Sequence, residues 1–496
     1  MMNDEEKSDE RVVPAKLSNE VGLPTEEMME GRRSAKGNTG EQNVLRTQSR
    51  SSTHSALDRV RQTAARDRKK KLTSLLHHVT VERLRASYLA LKRKAAAGVD
   101  GVTWDEYGQD LEARLVDLHG RVHRGAYRAK PSRRVYIPKS DGRQRPLGIA
   151  AIEDKLVQRA VVEVLNAVYE VDFLGFSYGF RPGRNQHQAL DALATAIQNK
   201  KVRWVLDADI RGFFDAIDHG WMVKFVEHRI ADKRVVRLIQ KWLGAGVLEG
   251  GKWSASEAGT PQGATISPLL ANVYLHYVFD LWVQQWRKRA QGEVIVVRYA
   301  DDFVVGFRHE ADAVRFRADL QERLSRFGLE VHPEKTRLIE FGKYAAQNRR
   351  ERGKGKPETF DFLGFTHLCG KSRAGYFLLL RHTTNSRMRA RLKRIREELF
   401  RRRHLPVPTQ GKMIEAVVRG YYAYHAVPTN IRRLDTFRTE VTRSWLHALR
   451  RRSQRTRMTW ERMRRLADRW VPAPRILHPY PSQRFAERTQ GRSRVR

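Results

Sequence analysis

The chain has 496 residues, 40% of them hydrophobic, with a formal net charge of +39 and a pI near 10.7. A field of that size draws polyanions, so nucleic acid is the expected partner. An anionic membrane is the competing reading, but no apolar run approaches the roughly 20 residues of a spanning helix.

The first 60 residues hold no aromatic side chain, and residues 1–30 carry nine acidic against three basic residues. Such a segment buries too little apolar surface to offset ordering entropy, which predicts a disordered extension over 1–60. Its acidic start lacks the basic and apolar regions of a secretory signal, so export is not expected. A helical pattern begins near Leu57, breaks at Lys69-Lys70-Lys71, and resumes through Val81, Leu84, Tyr88 and Leu91. Strands are expected on both sides of Asp141-Gly142, a hairpin dipeptide. Residues 151–200 read as helices, with Ser177 to Gly183 as the loop between them.

Arg203-Trp204-Val205-Leu206-Asp207-Ala208-Asp209-Ile210 reads as a strand with Asp207 and Asp209 on one face. Gly212 permits a sharp exit from it. Helical stretches follow at 219–245, 268–290 and 309–327, and between the last two lies a second motif. The runs Val294-Ile295-Val296-Val297 and Phe303-Val304-Val305 flank Tyr299-Ala300-Asp301-Asp302, as in a β-hairpin with two carboxylates at its bend. Burying such carboxylates is costly unless a cation or hydrogen bonds compensate. Hard oxygen donors suit Mg²⁺, and two such ions clamp the attacking and leaving oxygens of a phosphoryl transfer. Strand alternation turns Asp302 away from Asp301. Taken alone, an Asp-Asp pair is equally well a solvated turn, and Asp209 a strand-end cap. These elements together predict an α+β domain with helices on one face of an antiparallel sheet.

Asp209 with Phe214, followed about ninety residues later by Tyr-Ala-Asp-Asp, resembles a reverse transcriptase. Six further blocks narrow the resemblance. They are Gly98-Val99-Asp100-Gly101, the segment from Arg134 to Ile149, and Ser177-Tyr178-Gly179-Phe180-Arg181-Pro182-Gly183-Arg184. Then come Gly259 to Asn272, the pair Gly328-Leu329 and Pro333-Glu334-Lys335-Thr336, and Phe362-Leu363-Gly364-Phe365. Their order over residues 98–365 is similar to that of bacterial group II intron reverse transcriptase/maturases. The chain departs from the pattern at Ala150-Ala151 and at His332, neither of which touches a carboxylate.

The resemblance implies a right-hand polymerase, with fingers and an antiparallel palm, followed by an all-α basic thumb/maturase domain. The implied boundaries are 61–200 for the N-terminal extension and fingers, 201–372 for the palm, 380–480 for thumb and maturase, and 481–496 for a basic tail. Asp209, Asp301 and Asp302 are implied as catalytic. With the Ile210 carbonyl they would hold two Mg²⁺ ions, for which Mn²⁺ is a possible substitute. Lys139 and Arg145 match the residues that grip the triphosphate, although they suit template phosphates too. Phe214 matches the ring beneath the sugar, which leaves no room for a 2′-hydroxyl. Gln262 matches a residue of the nucleotide pocket.

After Gly370 the composition turns basic. Met388, Leu392, Ile395 and Leu399 form one helical stripe, and residues 387–470 hold 24 Lys and Arg against 7 Asp and Glu. That imbalance favours a phosphate-binding face over a merely solvated one. Arg387, Arg391, Arg394, Arg401, Arg402, Arg419, Arg451 and Arg452 are its candidate RNA contacts. The interleaved Tyr421, Tyr422, Tyr424, Trp445, Trp460 and Trp470 suit stacking on bases, but packing is the expected role for most. Arg419-Gly420-Tyr421-Tyr422 and Pro474-Arg475-Ile476-Leu477-His478-Pro479 resemble maturase motifs.

By resemblance the partners are the chain's own intron RNA, a DNA target and primer, and deoxynucleoside triphosphates. No membrane or protein partner is implied, and the expected location is the bacterial cytosol. The single cysteine, Cys369, excludes an intrachain disulfide and a Cys-rich zinc site, and it reads as a core residue. With no cysteine pairs, the chain resembles members lacking the C-terminal endonuclease. The alternative function is a catalytically silent maturase that only binds RNA and assists splicing.

Overall fold

The computed structural model describes residues 56–138, 144–452 and 458–483. Of the disorder expected over residues 1–60, residues 1–55 lie outside the described residues, as do Lys139, the Asp141-Gly142 turn and the tail beyond 483, whereas residues 56–60 are helical.

Residues 56–66 are helical, and the helix stops before the lysine run. Arg229, almost fully buried, pairs with Asp172 at 2.8 Å and donates to the Ala64 and Asp67 carbonyls, which ties this N-terminal segment to the core. Strands β1 (Ser132–Pro138) and β2 (Gln144–Ile149) pair antiparallel. They extend into β4 (Val247–Glu249) and β5 (Lys252–Ser254) in the order β2-β1-β4-β5. The β1–β4 pairing is parallel, so this sheet is mixed.

The central sheet holds β3 (Trp204–Asp209), β6 (Val294–Tyr299), β7 (Asp302–Phe307) and β8 (Arg337–Glu340). Its order is β6-β7-β3-β8 and every pairing is antiparallel. Leu206, Ala208, Val296, Phe303 and Val305 face a large core shared with helices that include Ile152–Asp172, Ser267–Leu275 and Glu310–Ser325. Helices on one face alone were expected, but the structure covers both. Val205, Val297, Val304 and Ile339 pack with Ala189, Leu190 and Leu193 of the helix Gln186–Asn199. They also meet Phe360, Phe362 and Phe365 of a second, three-stranded sheet. The reason is visible in the runs around the Asp pair: they are continuously apolar, as in strands buried on both sides.

That smaller sheet runs β11-β10-β9, with β9 (Phe360–Phe362), β10 (Phe365–Lys371) and β11 (Phe377–Thr383). Leu363 and Gly364 both take positive φ, as a two-residue I′ hairpin requires. The all-helical region therefore starts at Asn385 and not at 380. In β11 the buried positions include Arg381 and Thr383, and this polar alternation hides the strand from a hydrophobic reading. Helices Asn385–Arg401, Val407–His425, Ile431–Arg450 and Trp460–Trp470 then enclose a third core. The stripe Met388, Leu392, Ile395 and Leu399 is buried there, with Tyr421, Tyr422 and Trp445, as packing predicts. Cys369 is half-buried and accepts from the Gly342 amide at 3.3 Å; burial pushes its thiol up to about 11.

The stretch read as one helix over 268–290 is interrupted. Ser267–Leu275 passes into a π-turn at His276–Asp280 before Leu281–Trp286 resumes the α-helix.

Candidate active site

Strand β3 delivers Asp209 to its end, and Ile210 makes a bridge to Val331. The Ile210 side chain is buried and has no donor atom, so its carbonyl is the group that could serve as a ligand. Gly212, at φ +54°, then turns the chain into the short helix Phe213–Ala216. From the other side, β6 and β7 form a hairpin whose two turn residues are Ala300 and Asp301. Ala300 has φ +57°, a left-handed conformation that costs a non-glycine residue roughly 1–2 kcal/mol.

The register decides which acids meet. Asp209 lies directly opposite Asp302, so both project from one face of the sheet, with Asp301 in the adjoining turn. Simple alternation expected Asp302 to turn away; the positive φ of Ala300 breaks that alternation. Burial, followed by the charge of Asp209, raises Asp301, while Arg145 and Lys335 pull it down. For Asp302 the packed sheet behind it, then Asp301, Asp209 and Asp207, act in the raising direction. Burial pushes Asp207 up to about 7; Arg337 opposes this, and Asp361 and Asp209 add to it. This is a patch of mutually repelling carboxylates with cations already on it: Lys335 Nζ donates to Asp209 Oδ2, and the Arg337 guanidinium lies 3.8 Å from Asp207 Oδ2.

Around the patch a single loop joins the other candidate residues. The Gly148 amide of β2 donates to the Gln262 carbonyl at 2.6 Å, and the Thr260 amide donates to the Phe214 carbonyl at 2.7 Å. A Cβ at Gly259 would lie 2.9 Å from the Phe214 carbonyl oxygen, and one at Gly263 would lie 2.9 Å from that of Gly148. Only glycine lets the loop 259–263 sit against both. It thereby joins Gln262 and Phe214 to β2, the strand that carries Arg145, whose charge acts on Asp301. Gln262 Nε2 lies 3.5 Å from Asp215 Oδ2. Phe213 is buried in the core, whereas Phe214 is half-buried and meets Phe180 edge-on at 6.4 Å.

The family model described as "Reverse transcriptase (RNA-dependent DNA polymerase)" matches residues 137–367. The chain is 36% identical to protein YkfC of Escherichia coli, with 46% of this chain and 69% of that protein covered. It is also 36% identical to the group II intron-encoded protein LtrA of Lactococcus lactis, over 42% of this chain and 34% of LtrA. A 91 kDa protein in the cob intron of Schizosaccharomyces pombe is 43% identical over 29% of this chain and 18% of that protein. The chain belongs to the group II intron reverse transcriptase/maturase family. It spans about two thirds of the length of YkfC and about a third of that of LtrA.

Within this reverse transcriptase the basic candidates occupy different settings. Arg401 and Arg402 are exposed and pair with Glu398; Arg419 is exposed and pairs with Glu415. Arg394 and Arg451 are exposed, and Arg452 is half-buried near the His404 carbonyl. Arg391 is half-buried, and burial lowers its pKa. Arg387 is drawn inward: it packs on Gly364, and its charge acts on Asp302. The segment with His478 lies along the helix Val407–His425, where the Leu477 amide donates to the Ala426 carbonyl at 2.9 Å.

Phe180, Lys335 and the catalytic-side position of Arg387 were not assigned from sequence. Phe180 and Lys335 lie in recognised blocks; the signal for Phe180 is an exposed ring at φ +58°. Lys335 and Arg387 are 126 and 85 residues from the acids they approach, taking 335 minus 209 and 387 minus 302, so only the fold brings them there. No helix among the described residues is long and apolar enough to cross a membrane.

The carboxylates offer oxygen donors only, and the Lys335 ammonium shows that the patch accepts a cation. Among the described residues no three His, Cys, Asp or Glu side chains converge to form a complete metal cage. Carboxylate oxygens are hard donors of the kind Mg²⁺ takes, one or two of them beside water and substrate phosphates.

Proposed function

We propose that Asp209, Asp301 and Asp302 carry RNA-directed DNA synthesis, and that the same chain binds its own intron RNA as a maturase and copies the inserted intron from a primer at the target. Reverse transcriptases use divalent metal ions. Here the three carboxylates, with the Ile210 carbonyl, would hold two Mg²⁺ ions, or Mn²⁺ in their place. Bound there, the metal would neutralise charge on the attacking hydroxyl and on the departing pyrophosphate.

The protein's own groups do the rest. Arg145, joined by Lys139, grips the triphosphate; a guanidinium forks onto two phosphate oxygens and an ammonium acts as a point charge. Phe214 closes the space a 2′-hydroxyl would need, so deoxynucleotides are selected, and Gln262 borders the same pocket. The basic helices from residue 385 onward neutralise phosphates of structured RNA, with affinity that falls steeply with salt. The proposed division is residues 61–200 for the N-terminal extension and fingers, 201–372 for the palm and 380–480 for the thumb/maturase, whose helices enclose a core of their own.

One observation carries the reading: the register that sets Asp302 opposite Asp209 with Asp301 in the next turn. The test is extension of oligo(dT) on poly(rA) with dTTP and Mg²⁺, beside a splicing assay on RNA from the flanking gene. The proposal expects both activities. Splicing without cDNA would leave the silent-maturase reading in its place.

A further inference from the structure

A buried polar cluster lies directly behind the catalytic turn. Arg298, three residues before Asp301, is fully buried, and so is its partner Asp280. Arg298 Nε donates to Asp280 Oδ1 at 2.7 Å, and the second fork meets Oδ2 at 2.5 Å. The remaining nitrogen donates to Asn272 Oδ1 at 3.1 Å and to the Ala300 carbonyl at 2.9 Å. Asn272 Nδ2 in turn donates to the Gly179 carbonyl at 2.7 Å. Gly179 presses on the turn itself, where an added Cβ would lie 2.2 Å from the Ala300 nitrogen. Both of these contacts to Ala300, the bond to its carbonyl and the packing of Gly179, are therefore connected to Arg298.

Asp280 reaches this position because it closes the π-turn His276–Asp280. The extra residue of a π-turn rephases the helix locally, and such turns are frequent at functional sites. A buried ion pair gives little net stability over an apolar pair of the same shape. What it does give is direction, since a planar guanidinium with filled acceptors has one orientation.

We propose that Arg298 is a positioning residue: clamped by Asp280 and Asn272, it holds the Ala300 carbonyl and thereby aims the Asp301 carboxylate. This rests on the polymerase reading of Asp301. The cluster touches no nucleotide and acts through the turn. Weakening it lets the turn relax toward ordinary φ, and the carboxylate then loses its aim before the fold is lost.

The test compares the full chain with Arg298→Lys and Asn272→Ala. Free Mn²⁺ is followed by electron paramagnetic resonance, amide hydrogen exchange by mass spectrometry across residues 297–303, and folding by thermal unfolding. Outer-shell partners of ligands are commonly worth about 10- to 100-fold in metal affinity. Folded variants are expected to bind Mn²⁺ about tenfold more weakly and to exchange the turn amides faster, with other segments unchanged. The Mg²⁺ needed for half-maximal extension should rise in parallel. If Arg298→Lys fails to fold, Asn272→Ala, which removes only a neutral group, decides. Folded variants with wild-type Mn²⁺ affinity and wild-type exchange would overturn the proposal. If the wild type itself does not extend a primer, the polymerase reading fails, whereas the exchange data still report on the clamp.

Discussion

Gly179→Ala is a one-atom test of the contact between the loop 177–183 and the catalytic turn. The new Cβ would stand 2.2 Å from the Ala300 nitrogen, 2.9 Å from the Tyr299 carbonyl carbon and 3.0 Å from the Ala300 Cα. All three are backbone atoms and cannot rotate aside. Ordinary contact lies at about 3.5 Å, so the turn or the loop must move by roughly 1 Å. The loop is anchored by the Tyr178 amide on the Arg298 carbonyl at 2.8 Å and by Asn272 on Gly179. The turn, held by fewer bonds and already strained at Ala300, is the part that gives way. Overpacking of this kind costs about 1–3 kcal/mol of stability. A reacting group misplaced by about 1 Å can lose about 100-fold in rate. The expected outcome in primer extension on poly(rA)/oligo(dT) is therefore a loss near 100-fold, with the protein still folded by circular dichroism. Activity within about threefold of wild type would refute the claim that this contact sets the turn.

Phe214→Ala should open the sugar site: ribonucleotide incorporation relative to deoxynucleotide should rise at least about tenfold, read from single-nucleotide extension with dTTP or UTP. An unchanged ratio would remove Phe214 from that role. Trp445→Ala deletes a fully buried ring and leaves Gln410 Oε1 without its 2.8 Å donor, which should cost about 3–5 kcal/mol in denaturant unfolding of the helical region. His367, stacked on Phe360 at 4.7 Å, has its pKa lowered by burial to about 3. Below the ordinary histidine value of 6.5 the unfolded chain takes up a proton that the folded chain refuses, so this stability is present above 6.5 and is lost as pH falls. Between pH 7.5 and 5.5 the share of His367 is about 1.4 kcal/mol, and His367→Phe should lose that much less stability than wild type over the same interval. Equal losses in the two proteins would contradict the assignment.

Much of the catalytic region is legible in the chain because its signals are local. The apolar runs around Tyr299-Ala300-Asp301-Asp302 can only be strands, and the helical stripe from Met388 to Leu399 is buried as its spacing requires. Where the reading fell short, the determinant was not local. His276 to Asp280 has no feature that distinguishes a π-turn from an α-helix; its last residue pairs with Arg298, eighteen residues further on. The face of Asp302 depends on the φ of Ala300, against which Gly179 packs from outside the hairpin and whose carbonyl Arg298 of β6 holds. Strand β11 carries Arg381, which is buried because it pairs with Asp191 across 190 residues of sequence. Each of these involves a buried contact of a polar side chain or a close backbone approach, and a hydrophobic pattern does not encode such contacts.

The central claim is that carboxylates on β3 and on the β6–β7 turn carry the chemistry. The most direct measurement is Mg²⁺-dependent cDNA synthesis by wild type, Asp209→Asn and Asp301→Asn, with binding of the RNA template measured in parallel. The account predicts active wild type, no cDNA from either variant, and template affinity near that of wild type for all three. Synthesis by Asp301→Asn at the wild-type rate would contradict it.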